Sequence, residues 1–113
     1  MSPAPEYGGR RFRPVGAAPD AAPPAEGRYS QDGDLVWAEF SGPAVRAGRL
    51  VGTCRADGVL DAAYCFVTAA GETVAGACLT TPEPLPDGRL RLTERWRRLD
   101  GSTGVSHLEE VAP

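Results

Sequence analysis

The sequence predicts an all-β protein: a small antiparallel, up-and-down β-barrel of about eight strands. Asp-Gly pairs recur along the chain, and they favour tight hairpin turns because glycine readily adopts positive φ. Between these turns, apolar and polar residues alternate with the period of a half-buried strand. The many glycines suit a strongly curved sheet, and closing that sheet into a barrel removes its exposed edges.

The predicted strands occupy the intervals between these breaks. The stretch DLVWAEFS places Val36, Ala38 and Phe40 on one face, and VLDAAYCFV does the same for Tyr64 and Phe66. The stretch ETVAGACLTT is expected to end at Pro82, because proline has no N–H to donate to a neighbouring strand. The hairpin-rich region begins at Arg28, and the expected strands are residues 9–15, 34–41, 45–57, 59–67, 72–81, 87–101 and 103–111.

The segment DGRLRLTERWRRLDG, Asp87 to Gly101, fits two structures. A helix would align Leu92, Trp96 and Leu99. A strand would instead align Leu90, Leu92, Glu94 and Trp96. Asp-Gly pairs bound the segment and helix-capping signals are missing, so a strand is predicted. Its arginines are then expected on the solvent face, where charge opposes edge aggregation: Arg89, Arg91, Arg95 and Arg97, with Arg98 beside them.

The chain has 113 residues, of which 42% are hydrophobic, enough for one domain with its own core. Residues 1–7 are predicted to be a flexible tail and residues 8–112 a single barrel domain. Within that domain, the Pro- and Ala-rich segment 16–27 is predicted to be a surface loop. No CxxC motif is present, so the cysteines are expected to be reduced, apolar core residues: Cys54, Cys65 and Cys78.

The composition excludes several classes of function. The sequence has no Lys, which rules out Schiff-base chemistry, pyridoxal attachment and a GK[ST] phosphate loop. The lone His107 excludes multi-histidine metal sites, and neither a metal nor a cofactor is expected. The formal net charge of −3 argues against nucleic acid as a partner. No apolar run suits a membrane span or a signal peptide, so a cytoplasmic protein is predicted.

Several stretches together resemble a family of small bacterial proteins. They are GRRFRPV, YSQDGDLVWAEFSG, GRLVG, DGVLDAAY, TPEPLPDGRLRLTERW and GVSHLEE, and the part from Thr81 to Trp96 is the most specific. Members of that family are often labelled N-acetylglutamate synthase, and the resemblance implies a calycin-type, lipocalin-like β-barrel. Acetyl transfer from acetyl-CoA would need a pyrophosphate-binding loop leading into a helix, which this sequence lacks. We therefore interpret the label as a misnomer.

Glu94 is the leading candidate for a functional residue, because the strand pattern places it inside the barrel. A carboxylate there loses solvation, which raises its pKa and suits it to general acid or base catalysis. The alternative is a structural ion pair or hydrogen bond, for instance to an inward arginine or to Tyr64.

Five residues of the predicted interior are candidates for lining a ligand cavity: Phe40, Tyr64, Phe66, Leu92 and Trp96. Alternatively, these side chains fill the core of a narrow barrel. A nucleophile–base pair of His107 with Ser106 or a cysteine is not favoured, because no nucleophile elbow or orienting acid accompanies it. In the resembling family an aliphatic residue is usual where this chain has His107.

The favoured function is binding of a small hydrophobic ligand inside the barrel, with Glu94 orienting a polar group of that ligand. The second hypothesis is an enzyme of isomerase, cyclase or lyase type that uses Glu94 as acid or base. The third is a structural or oligomerisation module, with a homodimer as its simplest form. The first two hypotheses require that Glu94 face an open cavity.

Overall fold

Eight antiparallel strands form a closed barrel, in which consecutive strands pair and β1 also pairs with β8. The computed structural model describes residues 6–15 and 26–112, and these residues contain no helix. The predicted fold class is therefore confirmed. The strands are β1 (Arg11–Val15), β2 (Glu26–Asp32), β3 (Leu35–Gly42), β4 (Val45–Cys54), β5 (Leu60–Thr68), β6 (Thr73–Pro84), β7 (Leu90–Arg98) and β8 (Thr103–Glu110).

The segment from Asp87 to Gly101, whose sequence fits a helix or a strand, contains the strand β7. This strand pairs with β6 on one side and with β8 on the other. Arginines on its outer face have acidic neighbours. Arg91 Nη1 lies 3.6 Å from Glu109 Oε2 on β8, and Arg89 Nε lies 2.6 Å from Asp87 Oδ2 in the preceding turn. Such exposed pairs contribute little stability, but they reduce the positive charge of this face.

The Asp-Gly turns place only their glycines at positive φ. Gly58 and Gly88 have φ of 88° and 90°, and no other residue type in the described chain has positive φ. Asp57 Oδ1 accepts a hydrogen bond of 3.0 Å from the backbone N–H of Val59, and the turn at Asp87 repeats this pattern. These are type I turns followed by a glycine bulge, because a type I′ turn would need positive φ at the aspartate too.

Strand β6 continues beyond its predicted end at Pro82. It extends to Pro84, and Pro82 pairs with Leu92 of β7. The pairing of β5 with β6 stops at Thr80, so within the described chain the far end of β6 has a partner strand on one side only. A proline is tolerated there because its missing N–H interrupts no ladder on the open side.

One end of the barrel is sealed by the segment that precedes β1. Tyr7 is fully buried, and its hydroxyl donates a 2.7 Å hydrogen bond to the carbonyl oxygen of Gly58. Its backbone N–H donates to Gln31 Oε1 at 2.8 Å, and its ring stacks on Tyr29 with 6.0 Å between centroids. Tyr7 is therefore held in place by hydrogen bonds of both its backbone and its side chain.

These contacts move two predicted boundaries. The predicted tail, residues 1–7, ends before Tyr7, because a flexible tail would not be buried and hydrogen-bonded. The predicted loop, residues 16–27, ends before Glu26, the first residue of β2. Of the remaining residues of both predictions, 1–5 and 16–25 lie outside the described residues, and Glu6 is exposed.

The hydrophobic core occupies the sealed half of the barrel. Alternate residues of every strand point inward, and those nearest the sealed end are almost completely buried: Phe12, Val36, Leu60, Leu90 and Leu92. The partly buried inward residues Phe40, Tyr64, Trp96 and Leu108 pack against this core from the opposite end. The interior is therefore densely filled at one end and looser at the other.

The cysteines differ from one another in burial. Cys78 is buried among the core residues, which agrees with the expectation for a small apolar side chain, and Cys54 is half-buried. Cys65 is exposed, so the prediction was wrong for this residue. The alternation of β5 explains the difference, because Tyr64 and Phe66 point inward and Cys65 between them must point outward.

Candidate ligand-binding site

A cavity of about 280 Å³ opens at the end of the barrel opposite Tyr7. The turns from β3 to β4, from β5 to β6 and from β7 to β8 lie at this end. Most of the lining is apolar, and the polar groups that reach the cavity belong to Tyr29, Tyr64, Glu94, Arg98 and Ser106. A concave apolar surface with a few convergent polar groups is the usual composition of a small-molecule site.

The structure brings most of the candidate residues together at this cavity. Its lining includes Phe40, Tyr64, Phe66, Glu94 and Trp96. Leu92 lies on the same inward face of β7, but it is fully buried in the core and does not line the cavity. The part that each residue plays in binding or catalysis stays a prediction.

Inward glycines make room for the aromatic rings of the cavity wall. Phe40 pairs across the sheet with Gly48, and a Cβ atom at Gly48 would lie only 2.5 Å from Cδ2 of that ring. Trp96 pairs with Gly104, where a Cβ atom would lie 2.6 Å from Cε2 of the indole. Each ring lies flat over a cross-strand glycine, so these glycines decide how far the rings extend into the barrel.

Glu94 points into the cavity from the middle of β7, with Thr80 and Ser106 as its cross-strand neighbours. Burial raises the pKa of its carboxyl group. Within the described chain it has no ion-pair partner and no side-chain hydrogen bond. The structural ion pair considered as an alternative is therefore not formed with any described residue, and the neutral acid is favoured by desolvation alone.

Two buried groups near Glu94 also have raised pKa values. The buried thiol of Cys78 has its pKa raised to about 12, mainly by desolvation and further by the nearby carboxyl of Glu94. Burial likewise raises the pKa of the Tyr29 hydroxyl, with a smaller contribution from Glu94. None of these neighbours supplies a positive charge, so nothing at this level of the barrel offsets the desolvation of the Glu94 carboxyl.

Arg98 lies in the barrel interior, which corrects its predicted place beside the solvent-facing arginines. It continues the inward series of β7 that includes Leu92, Glu94 and Trp96. The carbon Cζ of its guanidinium lies 4.9 Å from the centroid of the Trp96 ring and 6.0 Å from that of Phe66. These aromatic faces give an inward arginine favourable cation–π contacts at the mouth of the cavity.

Ser106 and His107 are on opposite sides of the sheet. Ser106 lines the cavity, where its hydroxyl oxygen accepts a 3.0 Å hydrogen bond from Trp96 Nε1. The Nδ1 atom of His107 lies 3.3 Å from the hydroxyl oxygen of Thr93, an outward residue of β7. Adjacent residues of one strand point to opposite faces, so these two side chains do not form a nucleophile–base pair.

Sequence reasoning missed several lining residues besides Arg98, among them Tyr29, Leu50, Ser106 and Leu108. For Arg98 a signal was present, because strict alternation from Leu90 already places residue 98 on the inward face. The expectation that arginines face solvent outweighed it. For Tyr29 and Leu50, alternation marks an inward position but does not say whether it borders empty space.

The outer surface carries exposed apolar side chains as well as charges. Trp37 and Val51 are cross-strand partners on the outside of β3 and β4, with 39% and 54% of their surfaces exposed. Whether such residues meet a second copy of the chain stays a prediction. Within the described residues, no group of three or more His, Cys, Asp or Glu side chains could hold a metal ion. The same part of the chain contains no helix long and apolar enough to cross a membrane.

A closed eight-stranded barrel with an apolar cavity at one end defines a calycin-like, ligand-binding class of β-barrel. Within that class, the family model described as avidin-like protein matches residues 5–111. The chain therefore belongs to the avidin-like family, whose barrels bind small ligands. No curated protein and no solved structure gives a significant match to this chain.

Proposed function

We propose that this protein binds a small molecule in the cavity of its barrel, with Glu94 as the polar group that orients the ligand at the cavity floor. The observation that carries the proposal is the cavity itself, which combines aromatic walls with an unpaired carboxyl inside an avidin-like barrel. A volume of about 280 Å³ is near the lower end of the range for small-molecule pockets.

The chemistry of the site defines what Glu94 contributes. Its carboxyl oxygens accept hydrogen bonds, its protonated form also donates one, and the surrounding surface is mostly apolar. A ligand hydroxyl, amide or carbonyl group that reached Glu94 would replace the solvent that the carboxyl has lost. Polar groups aimed at such a site determine the orientation of the ligand, while apolar burial supplies most of the affinity.

Trp96 provides a direct test of binding. The chain has two tryptophans, so a Trp37→Phe background leaves the cavity residue Trp96 as the only indole fluorophore. We expect benzyl alcohol and toluene, used as neutral probes of suitable size, to change its fluorescence in a saturable way. The same probes should stabilise the protein against unfolding, by about 2.7 kcal/mol at a concentration one hundred times Kd.

A matched pair of substitutions on β4 locates the binding site. Val45 lines the cavity, whereas Val51 is on the outside of the barrel. Val45→Phe should weaken probe binding at least tenfold by occupying the cavity, and Val51→Phe should leave it unchanged. Equal effects of the two substitutions, or no saturable response in the parent protein, would overturn the proposal.

An enzyme using Glu94 is the second candidate, and the observation that favours it is the raised pKa of this carboxyl inside a cavity. Isomerase, cyclase or lyase chemistry needs a shaped site with one group that can give and take a proton. This candidate additionally requires conversion of a bound molecule. If NMR showed that the probes were unchanged after incubation, the result would contradict the enzyme candidate, and only the binding function would remain.

A further inference from the structure

Arg98 is the least satisfied polar group that the structure describes. Its Nε atom is buried and has no hydrogen-bond partner among the described residues. No acidic side chain of the described chain forms an ion pair with its guanidinium. An arginine stays protonated in proteins, so the cavity mouth holds a permanent, partly desolvated positive charge with an unused donor.

The surroundings hold this guanidinium in position for an anion. The rings of Trp96 and Phe66 contact it through their faces, which satisfies the cation but provides no hydrogen-bond acceptor in the plane of the donors. A planar guanidinium presents its N–H groups as a fork that matches the two oxygens of a carboxylate. The aromatic contacts therefore hold the guanidinium at the cavity wall, where donors that Tyr64 does not engage can meet a ligand.

A second donor lies next to Arg98. Tyr64 and Arg98 occupy opposite sides of Gly76 in one cross-strand row, and a Cβ atom at Gly76 would lie 2.7 Å from the Tyr64 hydroxyl. The hydroxyl therefore leans across the glycine toward the strand that carries Arg98. Burial raises the pKa of the Tyr64 hydroxyl, and a side-chain hydrogen bond from Arg98 together with the charge of its guanidinium opposes the shift. The hydroxyl oxygen accepts from Arg98, so its O–H is left to donate to a ligand.

The opposite end of the cavity repels an anion. Glu94 precedes Arg98 by four positions on the same strand, which separates their Cα atoms by about 13 Å. The indole of Trp96 lies between them, and the raised pKa of Glu94 shows that its site disfavours negative charge. A ligand with one anionic group is thus stabilised in one orientation only, with the charge at the mouth and the apolar body against the aromatic wall.

We infer that the ligand is a small aromatic monocarboxylate, whose carboxylate pairs with Arg98 and Tyr64 at the mouth while its ring lies in the cavity toward Glu94. This inference rests on the proposed function and adds the chemical class of the ligand. One arginine supplies one positive charge, which matches a monoanion better than a phosphate dianion. A cavity of about 280 Å³ has room for a body of about one ring.

Two probes that differ mainly in charge test the inference: phenylacetate and its neutral isostere phenylacetamide. Binding is measured at pH 7.5 through Trp96 fluorescence in the Trp37→Phe background. We expect phenylacetate to bind at least tenfold more tightly than phenylacetamide, because a paired, charge-assisted hydrogen bond replaces a neutral one. Phenethylamine, which carries the opposite charge, should bind more weakly than either.

Substitution of Arg98 identifies the source of the preference. Arg98→Met keeps an unbranched apolar stem over the rings and should reduce the ratio of the two affinities to about one, while phenylacetamide still binds. Arg98→Lys should restore part of the ratio, and Arg97→Met, on the outside of the same strand, should leave it intact.

The outcomes separate the class of ligand from the proposed function. Equal affinity of the acid and the amide in the parent protein, or a ratio that survives Arg98→Met, would overturn the inference and leave a binding cavity in place. Absence of binding by every probe would overturn both. A preference of phenyl phosphate over phenylacetate would show that the site selects a dianion and would also overturn the assignment.

Discussion

The two ends of the barrel use the same strands for different purposes. At the sealed end, Tyr7, Leu60 and Leu90 are almost completely buried, and the Tyr7 hydroxyl is satisfied by a backbone carbonyl. At the open end, Trp96 and Arg98 remain partly exposed, and a buried nitrogen of Arg98 lacks a partner among the described residues. The open end thus holds a partly exposed arginine that no acidic side chain of the described residues neutralises.

The two ends of the barrel also differ in how their side chains are held in place. Near the sealed end, Glu110 on the last strand accepts hydrogen bonds from Arg10 Nη1 at 2.6 Å and from the backbone N–H of Leu90 at 3.0 Å. Near the open end, interior side chains are accommodated by glycines instead of interlocking with one another. We infer that the sealed end supplies most of the stability and that the open end can be altered at lower cost.

Removing a core side chain at the sealed end should cause the largest loss of stability, and it tests this division between the two ends. Leu60→Ala should reduce the free energy of unfolding by about 2–5 kcal/mol, because it removes a fully buried side chain and leaves a cavity. Leu79→Ala, on the outer face of β6 where the side chain is 42% exposed, is the matched control and should change it by less than about 0.5 kcal/mol.

Urea denaturation followed by Trp96 fluorescence measures both variants. The affinity of folded Leu60→Ala for the neutral probes should stay close to that of the parent, since Leu60 does not line the cavity. If probe affinity and stability fell together, the two ends would not be energetically separate and the division would be wrong.

Substitution of a glycine beneath the aromatic rings of the open end should cause a smaller loss of stability. Gly48→Ala introduces a Cβ atom that would lie 2.5 Å from Cδ2 of the Phe40 ring, so the ring must move into the cavity. Crowding of this kind should cost about 1–3 kcal/mol of stability and also weaken probe binding.

A double-mutant cycle shows whether the ring causes that cost. In a Phe40→Leu background the same Gly48→Ala change should cost at least about 0.5 kcal/mol less, because the clashing ring is absent. Equal costs in both backgrounds would mean that Gly48 is needed for the backbone itself, and the account of the aromatic wall would be wrong.

Local sequence signals were sufficient for the fold and for part of the site. Asp-Gly turns and alternation are read within one strand or one turn, and they placed Glu94 and Trp96 inside the barrel. A hollow open end could not be read in this way, because it depends on which glycine faces Phe40 or Trp96 across the sheet. Tyr7 was missed for a related reason: its partner Gly58 is distant in the sequence, and nothing near Tyr7 signals burial.

The smallest expected effect depends on pH and concerns Glu94, which lies between the two ends. Its carboxyl has a raised pKa in the folded protein because burial disfavours the charged form. In the unfolded chain it titrates near the ordinary value of about 4.3. Below that pH both states carry the proton, and Glu94 adds no pH dependence to stability.

As the pH rises, the unfolded chain releases this proton before the folded protein does. The folded state then binds more protons than the unfolded state, so this carboxyl lowers the free energy of unfolding until the pH exceeds its folded pKa. Glu94→Gln removes the effect. The stability of this variant relative to the parent should therefore increase as the pH rises above about 4, and it should level off once the pH exceeds the folded pKa of Glu94.

Urea denaturation at intervals from pH 3.5 to pH 8 tests this sign, with Glu83→Gln as the control because Glu83 is exposed on the same barrel. The level reached at high pH gives the pKa shift, since one pKa unit corresponds to about 1.4 kcal/mol. A relative stability that instead decreased with pH would mean that the carboxylate is held as an ion by a positive group. In that case the account of Glu94 as a carboxyl that is destabilised by burial and has no positive partner would have to be abandoned.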